Sequence, residues 1–308
     1  MSSTEPRRVR AATRGSPLAR WQTEHVAALL SAANAEFVVE EVVVETTADR
    51  RLDVPISAMG GKGVFVKEIQ AAVLDGRADI AVHSAKDLPS VTHPDLVLAA
   101  IPRRGDPRDA LVGSTLAELG AGKRVATGSI RRRAQLGHLR PGIEFHELRG
   151  NMTTRLEKSK GFDAILVAAA ALDRIGLADH IAEVLEPDVM LPQVGQGALA
   201  VECRADDPEL VAILSTIDHG PSRRVVEAER AFLAELGGDC DLPAGAHAVL
   251  VGDEAIRVDA LIASPDGYTV LRERVESRDG QAAGSSAARR LLDERGGAAL
   301  LDEFQRGS

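Results

Sequence analysis

The sequence predicts an α/β protein: two similar lobes of alternating strands and helices, followed by a small α+β domain. Three observations predict it. Residues 9–101 alternate strand-like runs with helix-periodic runs, and a second alternation occupies 124–176. Between them, Pro102-Arg103-Arg104-Gly105-Asp106-Pro107 has linker chemistry. Beyond about residue 221 one long helix is followed by three strand-like runs. The expected division is 1–102 with 198–218 as first lobe, 106–193 as second lobe, and 221–308 as C-terminal domain.

Taken in order, Val9 to Thr13 reads as a strand, turned by Arg14-Gly15. Ser16 caps a helix that Pro17 opens, with Leu18, Trp21, Val26, Leu29 and Ala33 at helical spacing. Phe37 to Glu45 is Val-rich and reads as a strand. The polar stretch Thr46 to Lys62, ending in Gly60-Gly61-Lys62-Gly63, reads as a loop able to act as a lid. Phe65, Ile69 and Val73 mark a helix stopped at Gly76, and strands are expected at 78–82 and 96–101. In the second lobe the strands fall at 124–127, 143–148 and 163–169, the helices at 129–139, 152–160 and 170–176. Leu191 to Gly197 reads as a second crossing, and Ala198 to Cys203 as a strand returning to the first lobe; two crossings make a hinge. The last domain has a helix at 223–236, strands near 246–251, 255–262 and 268–275, and a closing helix at 287–294.

Composition excludes several function classes. The net charge of −9 repels polyanions and anionic membranes, and 3% aromatic residues leave little for base stacking. No stretch is long and apolar enough to span a bilayer. Two cysteines, Cys203 and Cys240, make no disulfide framework, and the polar start Met1 to Arg10 has no apolar core. A cytoplasmic protein is expected. No cluster of His, Cys, Asp or Glu has metal-ligand spacing.

The chain is organised around His83-Ser84-Ala85-Lys86-Asp87-Leu88-Pro89. Pro89 ends the preceding strand, so Ser84, Lys86 and Asp87 fall at the carboxyl edge of a sheet, where open α/β sheets bind ligands. A Lys-Asp pair there is either a surface ion pair in a turn or a cation and a proton-transfer group facing an anionic substrate. Residues 123–160 carry ten basic and three acidic side chains, a balance of +7 in an acidic chain. Thr127-Gly128-Ser129 opens a helix carrying Arg131 and Arg132, and Arg149-Gly150-Asn151 opens one carrying Arg155. Helix N-termini and arginines both favour anions, so this run is either a solvated basic face or a site for a ligand with several carboxylates or phosphates. Gly195-Gln196-Gly197 lacks the strand–turn–helix setting of a dinucleotide fingerprint, and Gly60 to Gly63 lacks the pattern of a phosphate loop. Cys240 sits in a glycine- and proline-flanked loop between Asp239 and Asp241, which raise its pKa; it is a buried small side chain or a covalent attachment point.

Together these motifs resemble the porphobilinogen deaminase (hydroxymethylbilane synthase) family from Arg10 to about Leu301. The resemblance rests on Ala12 to Ala19, Gly60 to Phe65, Ala78 to Pro89, Gly128 to Arg132, Leu148 to Asn151, Val194 to Ala198 and the Cys240 loop, in family order. It implies stepwise head-to-tail condensation of four porphobilinogen molecules into hydroxymethylbilane, with loss of ammonia each time, in tetrapyrrole (haem) biosynthesis. It implies a dipyrromethane cofactor joined by a thioether to Cys240, and Asp87 as catalytic group. By the same resemblance Ser84, Lys86, Thr127, Ser129, Arg131, Arg132 and Arg155 hold the cofactor. Arg14, Ser16, Arg149 and Arg174 receive the incoming pyrrole. The implied fold has two lobes like those of periplasmic binding proteins, joined by a hinge, with the cysteine on the small third domain, in a monomer. Ala58 and Asp239 depart from the lysine and glycine that relatives often carry there. The alternative is a two-lobed solute-binding or ligand-sensing module, which would have its bare sequence mass, whereas the enzyme would be heavier by a dipyrromethane.

Overall fold

In the computed structural model, residues 7–33, 37–46, 66–237 and 242–307 are described. The readings of Gly60 to Gly63, Ala58, Asp239 and Cys240 lie outside the described residues. The chain forms two units, 1–104 with 198–223, and 105–197 with 224–308.

In the first unit, β1 (Arg7–Thr13) is a central strand whose Val9, Ala11, Ala12 and Thr13 are all buried. It runs parallel to β2 (Phe37–Val43) and β3 (Ile80–Ser84). Between them come α1 (Pro17–Ala33) and α2 (Lys67–Leu74), the crossovers that parallel strands require. The Ser16 hydroxyl accepts from Ala19 N at 3.3 Å and starts α1. The buried face of α1 is Gln22, Thr23, Val26 and Leu30, a stripe rotated from the expected one because Gln22 turns inward to Ser84. Trp21 instead stacks on His25, ring centroids 4.9 Å apart.

The sheet is completed by β4 (Leu96–Ala100) and by β10 (Leu199–Arg204), which lies antiparallel between β3 and β4. Its order is β2-β1-β3-β10-β4. Pairing of Leu199 with Ser84 carries β3 two residues beyond the expected end, so the strand reaches Ser84 and a single 3₁₀ turn holds Ala85–Asp87. The helix α6 (Pro208–Ser215), which the sequence reading omits, follows β10, with Asp207 as its cap.

The second unit holds two sheets. The larger comprises β5 (Asp109–Val112), β6 (Arg124–Ala126), β7 (Glu144–His146), β8 (Ala164–Ala168) and β9 (Glu183–Leu185), in the order β7-β6-β8-β5-β9. β6 is parallel to β7 and β8, while β5 is antiparallel to β8 and β9. Neither β5 nor β9 is expected from sequence. β5 is short and buried on both faces, so it shows no alternation. The helices α3 (Ile130–Leu139), α4 (Met152–Ser159) and α5 (Ala169–Asp173) connect these strands.

The smaller sheet is an antiparallel meander of β11 (Ala244–Val251), β12 (Ala255–Ala263) and β13 (Val270–Ser277). The preceding helix is α7 (Gly220–Glu235); α8 (Gly280–Arg289) and α9 (Gly297–Gly307) follow. The closing helix starts earlier than its apolar residues suggest, because Asp279 accepts from Ala282 N at 3.0 Å. Its small residues serve close approach: a Cβ on Gly284 would lie 2.0 Å from Ala228 O on α7. Gly284→Ala is therefore expected to destabilise the protein by about 1–3 kcal/mol, since helix backbone must move. Urea unfolding checks this, and a loss below about 0.5 kcal/mol, the scatter of neutral surface changes, contradicts it.

Candidate functional site

In the first unit the carboxyl ends of β1 and β3 bring together the residues singled out there. Ser84 ends β3 and accepts from Gln22 Nε2 at 2.8 Å. Lys86 and Asp87 follow in the 3₁₀ turn, both half-buried, and Ala85 N donates to Ala198 O at 3.0 Å, holding that turn to the start of β10. Arg14 and Ser16 stand at the end of β1 and the start of α1, also half-buried. The Ser16 hydroxyl is engaged as the helix cap.

In the second unit the order of events repeats. β6 ends at Ala126, Thr127 is buried, and its Oγ1 accepts from Ser129 N at 3.3 Å. Ser129 caps α3, its hydroxyl accepting from Arg132 N at 3.5 Å. Asn151 caps α4 by accepting from Thr154 N at 2.9 Å. Arg155 on α4 donates its Nε to Gly150 O at 2.8 Å, and Lys158 donates to Arg149 O at 3.1 Å. Arg149 is half-buried. Arg174, just past α5, donates Nη2 to Gly197 O at 2.6 Å; burial draws its pKa down to about 10 against the opposing charge of Asp173.

Arg131 and Arg132 depart most from a basic face. They are 2% and 6% exposed, and both grip Asp109, which is wholly buried at the start of β5. Arg131 Nη1 lies 2.8 Å from Asp109 Oδ2 and 2.5 Å from Leu191 O. Arg132 meets Asp109 Oδ1 through Nε at 2.9 Å and Nη2 at 2.8 Å, and donates Nη1 to Leu166 O at 3.2 Å. Gln196 completes the cluster. Its Nε2 donates to Asp109 Oδ1 at 2.9 Å and to Pro107 O at 2.7 Å, and its Oε1 accepts from Arg132 Nη2 at 3.2 Å. One turn on from Arg131, Gln135 makes two bonds to the Leu191 backbone, at 3.0 and 2.8 Å. Nε and Nη2 of Arg131 are buried with no hydrogen-bond partner among the described residues.

Sequence reasoning missed Asp109 and Gln196. Asp109 follows the linker-like Pro107-Arg108, and Gln196 sits in a glycine motif weighed only as a nucleotide fingerprint. The available signal was electrostatic: adjacent arginines at a helix start need a carboxylate if they are to be buried. Among the described residues no His, Cys, Asp or Glu cluster suits a metal ion, and no helix is long and apolar enough to cross a membrane.

Burial pushes the Asp109 carboxyl up, but the Arg131 and Arg132 charges, with hydrogen bonds from Arg131 and Gln196, more than offset this and hold it at about 2. The folded pKa lies below the ordinary 3.8, so the stabilisation is complete above that value and is lost as pH falls towards 2. A difference of this size corresponds to about 2 kcal/mol. Urea midpoints measured from pH 6 to pH 2 are expected to fall more steeply for wild type than for Asp109→Asn below about pH 4. Parallel curves would refute this assignment.

Comparisons with known proteins agree with these motifs. The family model "Porphobilinogen deaminase, dipyromethane cofactor binding domain" matches residues 9–212, and "Porphobilinogen deaminase, C-terminal domain" matches 224–293. A porphobilinogen deaminase of Roseiflexus sp. (strain RS-1) is 49% identical over 295 residues, covering 94% of this chain and 97% of that relative. Porphobilinogen deaminases of Nitratidesulfovibrio vulgaris (strain Hildenborough) and Halalkalibacterium halodurans are 46% and 44% identical, covering 95% and 98% of both chains respectively. Among solved structures, a TRAP periplasmic solute binding protein from Desulfovibrio salexigens is 12% identical, covers 69% of this chain and 72% of its own, and has a TM-score of 0.44. With a model matching most of its length and relatives near half identity from end to end, the chain belongs to the porphobilinogen deaminase family.

Proposed function

We propose that this chain condenses four porphobilinogen molecules head to tail into hydroxymethylbilane, releasing ammonia at each step, on a dipyrromethane bound through Cys240. The observation that carries this reading is the Arg131 guanidinium. It is buried, its charge is only partly matched by the shared Asp109, and its Nε–Nη2 edge has no partner among the described residues. A buried donor left unpaired is costly unless a ligand pairs it. Porphobilinogen and dipyrromethane carry acetate and propionate groups, and a carboxylate is the natural partner for that edge. The residues present therefore fit the cofactor.

When bound, the dipyrromethane supplies the free pyrrole position to which the first porphobilinogen is joined. In this reading Arg131, Arg132 and Arg155, with Ser84, Lys86, Thr127 and Ser129, hold the cofactor's carboxylates and pyrrole rings. Arg14, Ser16, Arg149 and Arg174 receive the incoming substrate's acids. Asp87 protonates the departing amine and opposes the cation left behind, roles that suit a half-buried carboxylate at a strand end. Cys203 supports Cys240 as the attachment point, because it is fully buried in β10 and burial, with Asp207 and Glu202, pushes its thiol up to about 11. Such a thiol is protonated and shielded near neutral pH. The reading includes the three-part division 1–102 with 198–218, 106–193 and 221–308, of which the start of the last part is supported by family models that end at 212 and begin at 224. Its proposed setting is a cytoplasmic monomer.

Intact mass tests the attachment. Cys203→Ser is expected to retain the dipyrromethane increment, and Cys240→Ser to have the bare sequence mass and no turnover. An adduct surviving in Cys240→Ser would overturn the assignment. Single-turnover addition of porphobilinogen to loaded protein tests Asp87. Asp87→Asn is expected to slow addition by roughly 10²–10⁴-fold, the usual worth of a general acid or base. A rate within about tenfold of wild type, a barrier change near 1.4 kcal/mol, would exclude Asp87 as the catalytic group.

A further inference from the structure

The Asp109 cluster does more than bury charge. Arg131 and Arg132 are successive residues of α3, yet they meet the same carboxylate differently. Arg132 turns its Nε–Nη2 edge to Asp109, both nitrogens converging on the one oxygen Oδ1. Arg131 gives only Nη1, at 2.8 Å, and its own Nε–Nη2 fork has no partner among the described residues although the residue is 2% exposed. Its Nη1 is also held by Leu191 O at 2.5 Å, and Gln135 pins the Leu191 backbone in turn. The guanidinium is therefore held from one side, with its carboxylate-binding edge pointing away from its supports. Two guanidiniums and one carboxylate leave this cluster one positive charge.

We propose that Asp109 is a positioning residue for the cofactor. By occupying Arg132's fork and Arg131's Nη1, it presents Arg131's fork to one ligand carboxylate and leaves one positive charge to match it. This inference rests on the function proposed above. Without Asp109 the two guanidiniums repel each other unopposed, and among the described residues Leu191 O alone retains Arg131 Nη1 in its orientation. A glutamate would keep the charge but set the carboxylate one methylene further out, displacing both arginines. Gln196 supports the same carboxylate at 2.9 Å, so Asp109 has little room to swing and compensate.

The test follows cofactor loading rather than turnover. Full-length apo-protein is made in cells unable to synthesise porphobilinogen. Porphobilinogen is then added, and mass spectrometry follows the adduct per folded molecule across substrate concentrations. Asp109→Glu and Asp109→Asn are compared with wild type and with Leu119→Ala, a core control that packs with Leu111, Val125 and Leu136. Wild type and Leu119→Ala should load alike, whatever their thermal midpoints. Asp109→Glu should load at least tenfold more slowly at low porphobilinogen, with a raised half-saturating concentration, and Asp109→Asn more slowly still. Should Asp109→Asn fail to fold, Asp109→Glu decides. Loading of Asp109→Glu within threefold of Leu119→Ala, or loading that falls in step with the thermal midpoint in every variant, overturns the inference and leaves the function standing. A wild-type protein that neither gains the adduct nor consumes porphobilinogen overturns the function and this inference with it.

Discussion

One buried carboxylate organises the second unit. Asp109 joins the start of β5 to the first turn of α3 through Arg131 and Arg132, and to the 191–197 segment through Gln196. Removing one partner of such a cluster is severe, of the order of 3–5 kcal/mol, because a buried charge is left uncompensated. Apolar side chains of equal volume would nonetheless hold the same strand to the same helix about as well. Stability alone therefore gives no reason for three charges in this core. The reason lies in the hydrogen-bond count: the cluster satisfies Asp109 completely and Arg131 only in part.

The same segment shows how backbone and side chains share the work. Gly197 has φ +82, and a Cβ on it would lie 2.6 Å from Asp106 O. Only glycine allows the chain to come this close while Gln196 turns inward to Asp109. Gly197 O then accepts from Arg174. Glu229, buried on α7, accepts from Gly195 N at 2.7 Å and from Ala248 N at 2.9 Å, tying this segment to β11. The glycine motif that does not fit a nucleotide site is thus a tight backbone passage between arginine-bearing elements.

Much of this was legible in the sequence. The alternation of strands and helices, the cap Ser16, the helix starts at Ser129 and Asn151, and the turn after β3 follow from local chemistry that the structure repeats. What stayed hidden depends on partners distant in the chain. β3 runs to Ser84 because β10 pairs with it, and α1 turns Gln22 inward because Ser84 is there to meet it. The arginines of α3 read as a run of charge until Asp109, 22 residues earlier, removes two of them from the surface. Burial of a charge is a property of its partner, and periodicity does not record partners.

The two large sheets share one plan, β2-β1-β3-β10-β4 and β7-β6-β8-β5-β9, each with an antiparallel strand next to its edge. Each such strand follows a passage of the chain from one unit to the other. The two are nevertheless unequal in time. Every described strand of the second sheet lies between residues 109 and 185, whereas among the described residues β4 pairs only with β10, which begins at residue 199. On a ribosome, β3 and β4 therefore emerge long before the strand that joins them, with edges open to wrong pairing. The second sheet has all its strands while the first still waits for β10, so of the two large sheets the one begun first is the one completed last.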